Sequence, residues 1–285
     1  MTKKAIQLSM LALFIGLGAG YYYLQYVPEV DSNYHNAPVT GVSVKPIEQI
    51  LPFTPLIKNP AGISYVKETD TFLVSTDDRV FSEVSADFKR VLFTTTLTNS
   101  PLSIGDTEGV TYLGKGKAAL IGENGVVILV ARSGKINWLE TERFSIEGFN
   151  TNTQLGSAAY DAVNQIIYTA QKKGEAKVLY AIDIANRSVS VTDLKLADKF
   201  IEKSNRSWDE FYIAGLTFNK GKLYAISEAF SAMLTIDTDG TVSAITGLAG
   251  IQESAGITLK ENKFYFIGDA ENYLPEPPVY VLKDE

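Results

Sequence analysis

Residues 106–138 read DTEGVTYLGKGKAALIGENGVVILVARSGKINW, and their pattern decides the fold. GVTY (109–112) and AALIG (118–122) are apolar or β-branched and are joined by GKGK (114–117), which is turn chemistry. VVILVA (126–131) is a third run, and Ser133-Gly134 turns it into a fourth that begins at KINW (135–138). Apolar residues are continuous or alternate, so the period is that of strands rather than helices. The stretch predicts four antiparallel strands.

The same phrase recurs along the chain. Gly62-Ile-Ser-Tyr65, Gly109-Val-Thr-Tyr112, Ser157-Ala-Ala-Tyr160, Gly215-Leu-Thr-Phe218 and Gly256-Ile-Thr-Leu259 follow one another at spacings of 47, 48, 58 and 41 residues. Each is followed by a polar turn and a second apolar run (FLVST, AALIG, IIYTA, LYAIS, FYFIG), then by a third (VFSEVS, VVILVA, VLYAID, MLTID, VYVLK). Four strands per repeat of this length are the unit of a β-propeller blade. Five repeats predict an all-β, five-bladed propeller over residues 42–285. The last repeat ends at Lys283 without a fourth strand. VSVKPI (42–47) is therefore expected to complete that blade and close the ring, in keeping with the likeness of LPFTPLIKNP (51–60) to VLFTTTLTNS (91–100).

Ahead of the repeats, Lys3 and Lys4 precede an uncharged run over residues 5–27. As a helix its 23 residues reach roughly 34 Å, enough for a hydrocarbon core of about 30 Å. The lysines favour a cytoplasmic N-terminus, and Tyr21, Tyr22, Tyr23 and Tyr26 fall where the far interface would be. The reading is a signal anchor with one transmembrane helix over 1–27; the alternative is a signal peptide cleaved near the small residues 16–20. Residues 28–41, polar with two prolines, read as a linker, and His35 is a solvated residue within it. The propeller is then expected on the extracytoplasmic side of the cell (inner) membrane.

Composition removes many chemistries. With no cysteine and one histidine there is no thiolate or histidine-rich metal site and no cysteine nucleophile. A net charge of −7 and a pI near 5.0 argue against nucleic acid as a partner. No nucleotide-binding glycine loop, GxSxG elbow or EF-hand run is present.

The acids fall into register with the repeat. The residue that ends the second run is Asp77, Glu123, Gln171, Glu228 and Asp269, and Asp106, Glu108 and Glu253 stand at the starts of first runs. In a blade these two places are neighbours on one face, so Asp77, Glu108, Glu123, Glu228, Glu253 and Asp269 are expected around the channel mouth. Carboxylates ~5 Å apart repel by about 3 kcal/mol per pair at an effective dielectric near 20. A hard cation such as calcium would relieve this; Lys58, Lys172 or Lys173, or plain solvation, are the alternatives. Trp208, Phe211, Tyr212 and Tyr273 either wall a pocket on that face or pack the 196–211 insertion onto the propeller.

AGISY (61–65), DTEGVTYLG (106–114), ALIGEN (119–124) and LYAISEAF (223–230) resemble the SdiA-regulated (YjiK-like) family, membrane-anchored bacterial propellers distantly similar to NHL repeats. The resemblance runs from about residue 45 to the C-terminus and implies a calcium-binding propeller with no established reaction. Two functions are expected to compete. One is an envelope binding or sensing module for a protein, peptide or small molecule. The other is a calcium-dependent hydrolase of a phosphoester, lactone or similar ester, with Glu108 or Glu123 as general base.

Overall fold

The structure, a computed structural model, describes residues 43–98, 102–150, 152–172, 177–196, 211–227, 231–251, 254–268 and 278–283. Two short strands come first, β1 (Val44–Pro46) and β2 (Gln49–Pro52). Blade one is β3 (Pro60–Val66), β4 (Thr71–Thr76), β5 (Val80–Ser85) and β6 (Val91–Thr96). Blade two is β7 (Thr107–Gly114), β8 (Lys117–Gly122), β9 (Val126–Ser133) and β10 (Asn137–Ser145). Blade three is β11 (Ala159–Asp161), β12 (Ile166–Ala170), β13 (Val178–Asp183) and β14 (Ser188–Asp193), followed by the stub β15 (Lys195–Leu196). Blade four is β16 (Ile213–Asn219), β17 (Lys222–Ser227), β18 (Ala232–Asp237) and β19 (Thr241–Ala249). Blade five is β20 (Ser254–Lys260), β21 (Lys263–Gly268) and β22 (Pro278–Lys283), with β2 as its fourth strand.

Within each blade, successive strands pair antiparallel, as the repeat predicts. The inner strands pack side by side in a closed cycle, β3 on β7, β7 on β11, β11 on β16, β16 on β20 and β20 on β3. Five apolar clusters fill the five interfaces between blades: Leu73 and Phe81 of blade one meet Ile128 and Trp138 of blade two, and Phe72 of blade one meets Ile267 and Val279 of blade five. The remaining three join blades two to three, three to four, and four to five. Each blade buries both faces, which is why the strands read as continuous apolar runs. Turns between first and second strands use left-handed backbone at Asp70, Lys115, Gln165, Lys220 and Glu261, matching the polar residues found there.

Ring closure falls on a different segment from the one expected. VSVKPI does not complete blade five. Its Val44–Pro46 lies parallel to β19 on the outer edge of blade four, with Val44 opposite Gly247. The closing strand is β2, antiparallel to β22 with Gln49 opposite Val281 and Pro52 opposite Pro278. The switch occurs where Ile47 N donates to Ala249 O of blade four and Glu48 N donates to Val281 O of blade five. Pro46 has no N–H to give a ladder, which suits the end of a strand at a sheet edge. The likeness of 51–60 to 91–100 does place β2 correctly, since Leu51 corresponds to Val91 of β6. Deleting residues 42–57 is expected to unfold or oligomerise the domain, because blade five loses its outer strand and presents an open edge; size-exclusion and melting measurements check this, and a monomer with unchanged melting temperature would contradict it.

No helix occurs among the described residues, and none there is long and apolar enough to cross a membrane. The expected transmembrane run and the linker with His35 lie outside the described residues.

Candidate functional site at the channel mouth

Neighbouring inner strands approach each other closely around the axis of the ring. A Cβ placed on Gly109 would lie 2.5 Å from Ser157 C, one on Gly62 would lie 2.9 Å from Glu108 O, and one on Gly215 would lie 2.9 Å from the Cα of Gly256. The repeated glycine of the sequence phrase is thus a close-approach residue, placed where neighbouring inner strands nearly touch. Blade three has Ser157 there, and its inner strand is the shortest; the Ser157 hydroxyl accepts from Ala170 N at 3.2 Å. The cavity these residues line is only about 10 Å³, room for no more than about one water molecule.

At one end the described acids begin to converge. Pro60, Ala61, Asp77, Glu108, Lys172 and Ala214 line a single cavity there. Glu108 sits at the start of β7, and its side chain is 8% exposed. Asp77 follows β4, with its N donating to Asn59 O at 3.2 Å. Lys172 follows β12 within blade three, and its ammonium donates to both Glu108 oxygens, at 3.1 and 3.0 Å. Of the two described lysines that the sequence offers as counter-ions, Lys58 and Lys172, it is Lys172 that reaches Glu108; Lys173 lies outside the described residues.

Glu123 stands elsewhere. It does not line this cavity; its Oε2 accepts from Gln154 Nε2 at 2.7 Å. Asp106 is exposed, with its carbonyl accepting from Glu123 N at 2.8 Å. Glu228, Glu253 and Asp269 lie outside the described residues, as do Trp208 and Tyr273. Phe211 is buried in the core between blades three and four with Tyr212 packed against it, which is the packing role rather than a pocket wall. Among the described residues no three His, Cys, Asp or Glu side chains gather as a metal-binding group.

Two polar arrangements were not singled out by the sequence reading. Buried Glu83 on β5 accepts from Thr71 Oγ1 at 2.6 Å, Arg132 Nη2 at 2.6 Å and Trp138 Nε1 at 2.8 Å, tying blade one to blade two. The available signal was an acid inside the otherwise uncharged run VFSEVS. On the face opposite the mouth, Tyr65 donates to Asp70 at 3.0 Å. Burial and that carboxylate push the tyrosine hydroxyl up to about 12, and the Lys260 ammonium holds Asp70 below the usual carboxylate range.

A ring of five four-stranded blades with charged side chains at one mouth defines a five-bladed β-propeller. The chain belongs to the SdiA-regulated family, whose model matches residues 46–262. No curated protein matches it. Among solved structures it is similar to Myxococcus xanthus glutaminyl cyclase, with 14% identity over 85% of this chain and 98% of that one and a TM-score of 0.62. It is also similar to the PQQ-bound aldose sugar dehydrogenase of Streptomyces coelicolor, with 12% identity over 87% of this chain and 99% of that one and a TM-score of 0.51. At such identities the likeness is one of fold.

Proposed function

We propose that the protein is a membrane-anchored, extracytoplasmic binding module whose ligand-facing part is the acidic channel mouth, with calcium held by carboxylates of that rim. The observation that supports it is the shared cavity of Asp77, Glu108 and Lys172. Glu108 is buried and already draws one cation, the ammonium of Lys172, from a strand boundary 64 residues away. A hard cation needs six to eight oxygens. Asp77 and Glu108 offer carboxylates of the right type, and Glu228, Glu253 and Asp269, which recur at related positions of the repeat, are the further ligands of this proposal. Ser75 and Ser227, each on the second strand of its blade, keep buried hydroxyls with no hydrogen-bond partner among the described residues, so polar capacity there exceeds what the chain uses. Calcium, when bound there, would supply the positive charge that organises the rim for a ligand.

Both acids that hydrolysis would use as a general base are engaged, Glu108 by Lys172 and Glu123 by Gln154. That favours binding over the hydrolase reading.

Calcium at 100 times its dissociation constant is expected to stabilise the protein by about 2.7 kcal/mol, and chelation to reverse it. Glu108→Gln should weaken calcium binding. Lys172→Met should tighten it, because the competing ammonium is gone and Glu108 is left needing a cation. Isothermal titration of the three proteins checks the order. No thermal shift for the wild type at millimolar calcium would overturn the reading.

A further inference from the structure

Seven large apolar side chains are exposed among the described residues, and three of them, Val44 (50%), Ile50 (61%) and Leu56 (78%), stand close together in sequence on the segment that enters the ring. Pro46, Pro52 and Pro55 on the same segment are exposed as well. β1 and β2 are the outermost strands of blades four and five, so this segment is a strap along the outside of the propeller. On β2 the residues alternate: Leu51 packs against the core between blades five and one, which turns Ile50 and Pro52 outward together.

Charge sets the strap apart. From Ser43 to Lys58 it holds Lys45 and Lys58 against Glu48, a net +1, whereas the chain beyond Val27 carries 24 − 33 = −9. An acidic domain can therefore approach an anionic surface along this edge with least repulsion. Chain length brings the edge there. Residues 28–41 separate the apolar run from the strap, and 14 residues span on the order of 50 Å at full extension and roughly 20 Å on average.

We infer that the strap docks the propeller on the lipid bilayer, with Val44, Ile50 and Leu56 entering the headgroup region beside the anchor. The inference rests on the anchored reading given above. Lipid is the occupant the charge and the tether favour; a second copy or a protein partner is an outcome of the test.

The absence of cysteine makes the test clean. Full-length protein carrying Leu56→Cys, Ile50→Cys or, as control, Val163→Cys at an 89% exposed turn of blade three would be labelled with an environment-sensitive fluorophore. Each would be reconstituted in phosphatidylethanolamine–phosphatidylglycerol vesicles containing spin-labelled lipid. Probes at 50 and 56 are expected to be quenched at least two-fold more than the probe at 163. Protein that floats with the vesicles but shows equal quenching at all three positions overturns the docking and leaves the anchor standing. A spectral shift at 56 that grows with protein density without lipid quenching also overturns it, in favour of a second copy. Protein that fails to float overturns the anchor and the docking together.

Discussion

Glu83→Ala is expected to destabilise the propeller by about 3–5 kcal/mol, the cost of breaking a buried ion pair from one side. Glu83 is 1% exposed, and its loss leaves Arg132, the indole N–H of Trp138 and the Thr71 hydroxyl without their common acceptor. Arg132 is held further by the Trp138 ring, 4.8 Å from its guanidinium, and by the Lys135 carbonyl at 2.7 Å. The guanidinium therefore has little freedom to swing into water. Since a domain has only about 5–15 kcal/mol of stability to lose, the change should be visible as a large fall in urea midpoint. Glu83→Gln keeps the shape and one acceptor oxygen and should cost less. A Glu83/Arg132 double-mutant cycle should show strong coupling; additive effects would mean that the two blades are joined by apolar packing alone.

Gly109→Ala is expected to be at least as damaging, about 3 kcal/mol or more, by a different route. The added methyl would meet Ser157 C at 2.5 Å and Ala158 N at 2.7 Å, both backbone atoms of blade three. Side chains can rotate away from an intruder, but here two blades would have to separate, so the cost lies beyond the usual 1–3 kcal/mol of overpacking. Gly114→Ala is the control. Its backbone is left-handed at φ 86° with nothing near the would-be methyl, so only the strain of about 1–2 kcal/mol applies. Equal losses for the two variants in denaturant titrations would remove the close-approach explanation.

That same glycine explains why the fold is legible in the sequence. Close approach of inner strands imposes one small residue per blade at a fixed phase, and the apolar runs around it follow from blades covered on both faces. Five phrases thus translate into five blades. The closing strand is harder to read, because two short edge segments, 44–46 and 49–52, are each compatible with pairing, and the choice depends on which sheet edge stands nearest in space. The acids show the same division. Their phase along the repeat is visible, and Asp77 and Glu108 do share a cavity, yet Glu123 turns to Gln154 instead. Which lysine answers Glu108 is a matter of how blade two faces blade three, and nothing local to Lys58, Lys172 or Lys173 encodes it.

The pairing of β2 with β22 links residue 49 to residue 281, near opposite ends of the chain. A polypeptide delivered N-terminus first, whether from a ribosome or through a translocation pore, has to hold β2 in waiting while four blades are made. Contacts of such large sequence separation form slowly. Blade five is therefore completed by a strand, β2, that was made before any of the five inner strands. Until the final six-residue strand arrives, the nascent chain is an open arc with adhesive ends, and its period of greatest vulnerability to proteases and to neighbouring chains is set by the time needed to synthesise the last blade.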